Sequence, residues 1–463
     1  MAAMKELENS PVSPPPGSVP TTSLNLTLFD MTGFGFSAMQ RLYFYEFPHP
    51  TSYFMDNTLP NLKTSLSLTL QHFFPFAGKL TIPPPPQPLP YIVYEEGDSV
   101  SFIVKESTVD FNHLIGDHPR HVEELRALVP TLPPPSMAAN GCMEKPVMAI
   151  QITVFPMAGI SIGIGFCHSA ADGSTLSHFM NSWANLNTHK SQDQEDLNNY
   201  SLPNFNRDYL IKDLSGLASK FFNVKRELKE LPSIPVDKLR VTFNIKRSQV
   251  MLLKDWIAKK SSEEINGITS EPLIRLSTFV VTCAYMWVCL IKLRDPSNYN
   301  HGDDDALCHF IFVADCRQRL KLPTTYFGNC IALQYVAAKK SELITGEKGI
   351  AVAARAIGRQ VMELEEKGPL NEAEKWLSRT GEIIKPGGLV TAVTSSPKLG
   401  AYKIDFGWGR PKKTEVANIA SNMFFSLTES RDEEGGVELG LALSSHELNC
   451  FNSIFFQGLS NLK

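Results

Sequence analysis

The stretch VMAIQITVFPMAGISIGIGFCHSAADGSTLSHFMNSWANL, Val147 to Leu186, changes its periodicity twice, and that change sets the fold class. VMAIQITVF and ISIGIGFC are apolar and rich in β-branched residues, and the short turn PMAG between them makes a β-hairpin. On the second arm Ile160, Ile162, Ile164 and Phe166 face one way, and Ser161, Gly163 and Gly165 the other. Glycine weakens a strand, so this nearly bare face implies that something approaches it closely, either a ligand or a packed helix. Beyond HSAADG the spacing becomes helical, with Leu176, Phe179, Met180 and Trp183 on one face and Ser174 as the expected N-cap. A strand, a short loop holding His168 and Asp172, and an amphipathic helix therefore follow in order.

The same α/β texture continues on both sides. After a Pro/Ser-rich leader, RLYFYEF (Arg41–Phe47) reads as the first strand. Leu62, Leu66, Leu68 and Leu70 mark a helix that Pro75 and Gly78 close, and PPPPQPLP (Pro83–Pro90) reads as a stiff surface loop. Polar sequence from His189 to about Arg226 is the expected crossover. In the second half LSTFVVTCAYMWVCLI reads as a buried helix and HFIFVADCR as a strand. NMFFSLTES and VELGLAL form a hairpin across RDEEGG. The expectation is an α/β protein with mixed β-sheets in two domains, residues 1–200 and 229–463, joined by a linker at 201–228.

Bulk composition excludes several function classes. The 463 residues exceed one ordinary domain, and 43% hydrophobic with 20% charged residues is globular composition. A net charge of −4, from 44 basic and 48 acidic residues that are interspersed, offers no basic face for nucleic acid. The longest apolar run, Val147–Phe166, is broken by Gln151, Pro156 and Gly159, so no membrane span is expected. The N-terminal sequence lacks the pattern of a secretory signal, and the eight cysteines form no CxxC pairs, so a cytosolic protein with reduced thiols is expected.

Two motif matches carry little. GISIG (Gly159–Gly163) fits GxSxG, but a nucleophile elbow needs its serine on a sharp strand-to-helix turn, and Ser161 lies within alternating isoleucines. TGFGF, near residue 33, lacks the third glycine and the following helix of a dinucleotide site. His168 has only Asp172 within local reach, too little for a zinc site. A catalytic base and a structural histidine both remain open on pattern alone, although small neighbours (Ser169, Ala170, Ala171) would leave the ring accessible.

HSAADG together with DFGWGRP (Asp405–Pro411) resembles the paired signatures of the plant BAHD acyltransferases, which use acyl-coenzyme A donors. YFGNC (Tyr326–Cys330) resembles the mark of the branch that acylates anthocyanin and other phenolic glucosides, commonly with malonyl-coenzyme A. DCRQRL, LSTFVVTCAYMWVC and RLYFYEF resemble that branch too, so the likeness spans nearly the whole chain.

The resemblance implies two chloramphenicol-acetyltransferase-like domains with a solvent channel between them and His168 at its centre. His168 would act as general base on a sugar hydroxyl, which then attacks the thioester without a covalent acyl-enzyme. Asp172 either orients the imidazole or props the loop; the resemblance favours an arginine salt bridge and the second role, without saying which arginine. Asp405 and Trp408 would pin a tight loop around Gly407 and Gly409, a second proton acceptor at Asp405 being the alternative. Thr394 in VTSSP is the candidate oxyanion donor, since some relatives carry tryptophan where this chain has Ser396. Ser277 and Thr278 match a position that contacts coenzyme A, and Arg41 one near the acyl-donor pocket. Arg41 and His178 are candidates for the malonyl carboxylate.

The expected protein is a monomeric, metal-free acyltransferase with no bound cofactor, moving malonyl from malonyl-coenzyme A to a phenolic glucoside. Its first rival has the same machinery with an acetyl- or hydroxycinnamoyl-coenzyme A donor. Two others are a non-catalytic binding relative and a hydrolase built on Ser161.

Overall fold

The hairpin leads straight to the histidine loop. Met148–Phe155 and Gly159–Phe166 pair antiparallel from Met148↔Phe166 to Phe155↔Gly159, and every residue of both strands is buried. The computed structural model describes residues 4–84, 89–188, 201–211, 216–227, 237–265, 274–294, 306–346, 348–384, 387–419 and 423–462. Among these the hairpin is central in a six-stranded sheet ordered Met4–Val12, Val100–Ser107, Met148–Phe155, Gly159–Phe166, Met39–Glu46 and Lys413–Val416. Only the Val100–Ser107 and Met148–Phe155 pair is parallel.

Ile160, Ile162, Ile164 and Phe166 enter a large core shared with helices Leu59–His72 and Gly173–Thr188. The bare face meets a chain segment rather than a ligand or a helix side. A Cβ on Gly163 would stand 2.1 Å from the Leu128 carbonyl oxygen, and one on Gly165 2.9 Å from that of Pro130.

A second, seven-stranded sheet runs Ile331–Lys339, Leu307–Asp315, Leu389–Thr394, Phe424–Glu429, Val437–Leu443, Leu239–Ile245 and Arg120–His121. Its core packs on Thr278–Arg294, a helix apolar on all sides because it is covered on all sides. A five-stranded sheet of short strands lies between Thr22 and Pro146.

The two large sheets exchange strands. Lys413–Val416, from the C-terminal half, pairs with Met39–Glu46, while Arg120–His121, from the N-terminal half, pairs with Leu239–Ile245. Glu415 sits at this crossing, 2.8 Å from Arg120 and 2.9 Å from Arg240, with all three side chains buried. Beside it the Lys413 ammonium lies 2.7 Å from Asp117 and 3.2 Å from Glu438.

Three sequence expectations need correction. RLYFYEF is not the first strand: Met4–Val12 precedes it as an edge strand on Val100–Ser107, where Pro11 costs no internal ladder bond. Leu62, Leu66 and Leu70 are buried at i, i+4, i+8, but Leu68 faces outward. Asp172, not Ser174, caps the helix, because Gly173 is already helical and the Thr175 amide donates to the Asp172 carboxylate at 3.0 Å. Part of the expected Pro-rich loop (85–88) and much of the crossover lie outside the described residues.

Candidate active site

His168 follows the strand end Phe166, and Asp172 closes the loop by capping the next helix. The Asp172 carboxylate turns away from the imidazole and onto Arg317, which grips it at 2.8 Å (Nη1 to Oδ2) and 2.9 Å (Nη2 to Oδ1). The Cys330 amide adds a bond of 2.9 Å. Burial alone would raise the Asp172 pKa, but the Arg317 charge and these hydrogen bonds hold it below the usual range. Asp172 is thus an ionised prop for the loop, and Arg317 is the arginine that spacing could not locate.

The imidazole has a tight backing. Gly33, at the end of helix Leu28–Gly33, lies so close that a Cβ there would be 2.7 Å from the His168 carbonyl oxygen and 3.1 Å from the ring carbon Cγ. That carbonyl also accepts from the Asn329 side-chain amide at 2.8 Å. Nδ1 is buried and has no hydrogen-bond partner of good geometry among the described residues. His168 as a whole is half-buried. Burial lowers its pKa, against a smaller upward pull from nearby backbone and from Asp172, so the ring is neutral at pH 7.

YFGNC is the clasp around this loop. Asn329 donates to Asp30 from its backbone (2.9 Å) and side chain (3.0 Å), while Arg207 bonds the other Asp30 oxygen at 2.7 Å. The Gly328 carbonyl accepts from Thr175 at 2.9 Å and from Arg317 at 3.0 Å. The Tyr326 ring is flanked by both guanidiniums, Arg207 at 5.8 Å and Arg317 at 5.7 Å from its centroid. Two buried acids, each matched by an arginine, are tied to one pentapeptide.

A model of the Transferase family matches residues 7–457. The chain belongs to that family, the BAHD acyltransferases. It is 38% identical to coumaroyl-CoA:anthocyanidin 3-O-glucoside-6''-O-coumaroyltransferase 1 of Arabidopsis thaliana, over 98% of this chain and 97% of that protein. It is 36% identical to malonyl-coenzyme A:anthocyanin 3-O-glucoside-6''-O-malonyltransferase of Dahlia pinnata, again over 98% and 97%. Among solved structures vinorine synthase shares the fold, with a TM-score of 0.68 at 20% identity over 98% of both chains. The protein is therefore an acyl-coenzyme A-dependent acyltransferase with a two-domain α/β fold.

Other expected residues of this BAHD acyltransferase fall into three places. Arg41 reaches Ser395 Oγ at 3.3 Å, and Leu399, just beyond, packs where a Gly173 Cβ would be 2.9 Å away. The VTSSP segment thus lies against the histidine loop. Thr394, half-exposed at its strand end, donates weakly to the Phe425 carbonyl at 3.4 Å, and Ser396 caps the turn Pro397–Leu399. Ser277 and Thr278 stand at the start of helix Thr278–Arg294, where Ser277 Oγ accepts from the Val280 amide at 3.2 Å. Phe279 packs on Phe312 at 5.4 Å, so this helix start lies toward the strand end that leads to Arg317. His178 is already engaged, with Nε2 2.6 Å from the Ser201 carbonyl oxygen. Ser161 is buried in mid-strand, which removes the nucleophile-elbow reading.

Asp405 is not brought to His168. Its Oδ1 accepts from the amides of Gly407 (2.7 Å) and Gly409 (2.9 Å), both at positive φ. The loop grips the far end of the histidine helix: Asn187 donates to the Phe406 carbonyl at 2.8 Å, and Thr188 to that of Asp405 at 3.2 Å. That helix has 16 residues, so about 24 Å separates its ends. The proton-acceptor alternative for Asp405 fails on this geometry.

Sequence reading missed Asp30, Arg207, Gly33, Asn329 and Arg317 as parts of the site. Three carried signals: Gly33 lies in TGFGF, set aside as a weak nucleotide motif, Arg317 lies in DCRQRL, and Asn329 lies in YFGNC.

Proposed function

We propose that the protein transfers a malonyl group from malonyl-coenzyme A to a sugar hydroxyl of a phenolic glucoside, a flavonoid or anthocyanin glucoside among them. His168 Nε2 takes the hydroxyl proton as the oxygen attacks the thioester carbonyl, for which general-base catalysis contributes roughly 10²–10⁴-fold. Thr394 swings its hydroxyl from its long bond to Phe425 toward the tetrahedral oxyanion. The intermediate collapses, coenzyme A thiolate leaves, and it recovers the proton from His168. Donor and acceptor enter from opposite ends of a channel between the two lobes, with Ser277 and Thr278 on the coenzyme A side.

The observation that carries the malonyl reading is Arg41. Burial lowers its pKa, its hydrogen bond goes to the neutral Ser395 hydroxyl, and among the described residues no carboxylate lies within ion-pair distance of it, Glu429 acting on it only from farther off. A desolvated guanidinium in that state favours an anionic ligand, and the malonyl carboxylate supplies one. A second reading, with a hydroxycinnamoyl donor, is supported by the coumaroyltransferase among the relatives.

The test is thiol release from malonyl-, acetyl- and coumaroyl-coenzyme A with a panel of phenolic and anthocyanidin glucosides. Wild type is set beside His168→Ala and Arg41→Gln. His168→Ala is expected to abolish turnover in a folded protein, and Arg41→Gln to lower malonyl transfer selectively. Preference for coumaroyl-coenzyme A, untouched by Arg41→Gln, would give the second reading. Full turnover in His168→Ala would sink both.

A further inference from the structure

Helix Leu217–Glu227 sends one lysine, Lys225, to the turn that backs the histidine. It packs on the turn after helix Leu28–Gly33, with Phe34 edge-on to Phe222 at 5.2 Å. Lys225 Nζ donates to the Thr32 carbonyl and stands 4.1 Å from the centre of the Phe36 ring. Thr32 and Phe36 bracket Gly33, the residue that touches His168, and the Phe36 ring centre is 6.3 Å from that of the imidazole. One ammonium thus holds both ends of the turn that backs the proposed base.

The charges around His168 decide what else that ammonium does. On its own loop Asp172 is matched by Arg317, from the segment after Leu307–Asp315. On helix Leu28–Gly33 Asp30 is matched by Arg207. Lys225 is left without a carboxylate in ion-pair distance among the described residues, its contacts being a carbonyl and a ring face. At His168 the Asp172 charge still pulls the pKa up, and the Lys225 charge opposes it.

We infer that Lys225 is a positioning residue for acyl transfer: its ammonium, with no carboxylate partner among the described residues, fastens the Thr32–Phe36 turn against His168 and stands as a like charge to any imidazolium there. This rests on the general-base reading of His168. The Lys225 charge does act on His168 in the direction required, adding to the effect of burial. Burial brings the Lys225 pKa down to about 8, so the charge is present at neutral pH and fades above that.

The experiment is a histidine-selective NMR titration of the full-length protein, with His168→Ala assigning the resonance, run on wild type, Lys225→Met and Lys225→Arg. Removing a like charge is expected to raise the His168 titration midpoint in Lys225→Met, and Lys225→Arg to restore it. In parallel, kcat/KM should fall in Lys225→Met and its acidic limb should move to higher pH, where the imidazolium then persists, and Lys225→Arg should restore both. An unmoved His168 midpoint in folded Lys225→Met would overturn the inference. A kcat loss without a midpoint shift would reduce Lys225 to a structural residue and overturn it equally. The titration needs no substrate, so it stands apart from failure of the donor assay.

Discussion

Arg317 holds Asp172 through two parallel N–H···O bonds, 2.8 and 2.9 Å long, with both side chains buried. The pair joins the histidine loop to the segment leaving strand Leu307–Asp315, and it turns the carboxylate away from the ring it could otherwise orient. Arg317→Met would strand a buried carboxylate with only the Thr175 and Cys330 amides for company. The expected loss is about 3–5 kcal/mol of unfolding free energy. Asp172→Asn in the same chain should recover part of it, because an amide needs no counter-charge. Guanidinium unfolding of both single variants and the double variant checks this; strictly additive losses would mean that the two residues do not act as a pair.

The histidine helix is gripped at both ends, by Asp172 at its start and by the Asp405 loop at its finish. Asp405→Ala should lower kcat although about 24 Å of helix separates it from the base. The expected signature is a kcat loss with the acidic limb of the pH profile unchanged, since Asp405 takes no proton in the reaction. A shifted limb would restore the proton-acceptor role.

What could be read from the sequence was local. The Val147–Leu186 stretch gave its hairpin and helix through periodicity, and Asp405 with two glycines gave a tight loop. The partners of those residues were hidden, because Asp172 meets Arg317, and Asp30 meets Arg207, across long separations that spacing does not encode. Strand Lys413–Val416 was invisible for a related reason: KTEV is short and charged, and the distant partners that let it be buried, Arg120 and Arg240 for Glu415 and Asp117 and Glu438 for Lys413, are not in its spacing. TGFGF was read as a poor nucleotide motif, whereas Gly33 is there to let His168 approach.

Gly33→Ala isolates that last point. Its Cβ would overlap the His168 carbonyl, a backbone atom held by Asn329, so the loop must shift. Displacing a base by even 1 Å can cost on the order of 10²-fold, so kcat should fall by that order while the fold persists. Circular dichroism and thiol release on the same preparation check it; a kcat within a factor of two of wild type would show that the contact is slack.

Gly163→Ala should act on stability instead. The added methyl would meet the Leu128 carbonyl oxygen at 2.1 Å, far inside contact distance, in the middle of a fully buried strand. Overpacking of this kind costs roughly 1–3 kcal/mol. The expected outcome is a lowered guanidinium midpoint with an unchanged slope. An unchanged midpoint accompanied by weaker substrate binding would mean that the bare strand face serves a ligand after all.

Acid stability should reflect the strand crossing. Burial would raise the Glu415 pKa, but Arg240, Arg120 and Lys413 overcome it and hold the carboxyl at about 2, against 4.5 when free. A folded pKa below the unfolded one means that the stabilisation is whole above pH 4.5 and disappears as the pH falls toward 2. The size is about 3 kcal/mol, an order-of-magnitude figure from the width of that window. Glu415→Gln should therefore be markedly less stable than wild type at pH 7, because it leaves two guanidiniums buried without a carboxylate. The gap should narrow as both proteins are taken from pH 5 to pH 3. Unfolding midpoints at a series of pH values measure it directly, and a gap that stays constant across the series would show that Glu415 is not the group whose charge locks the two sheets together.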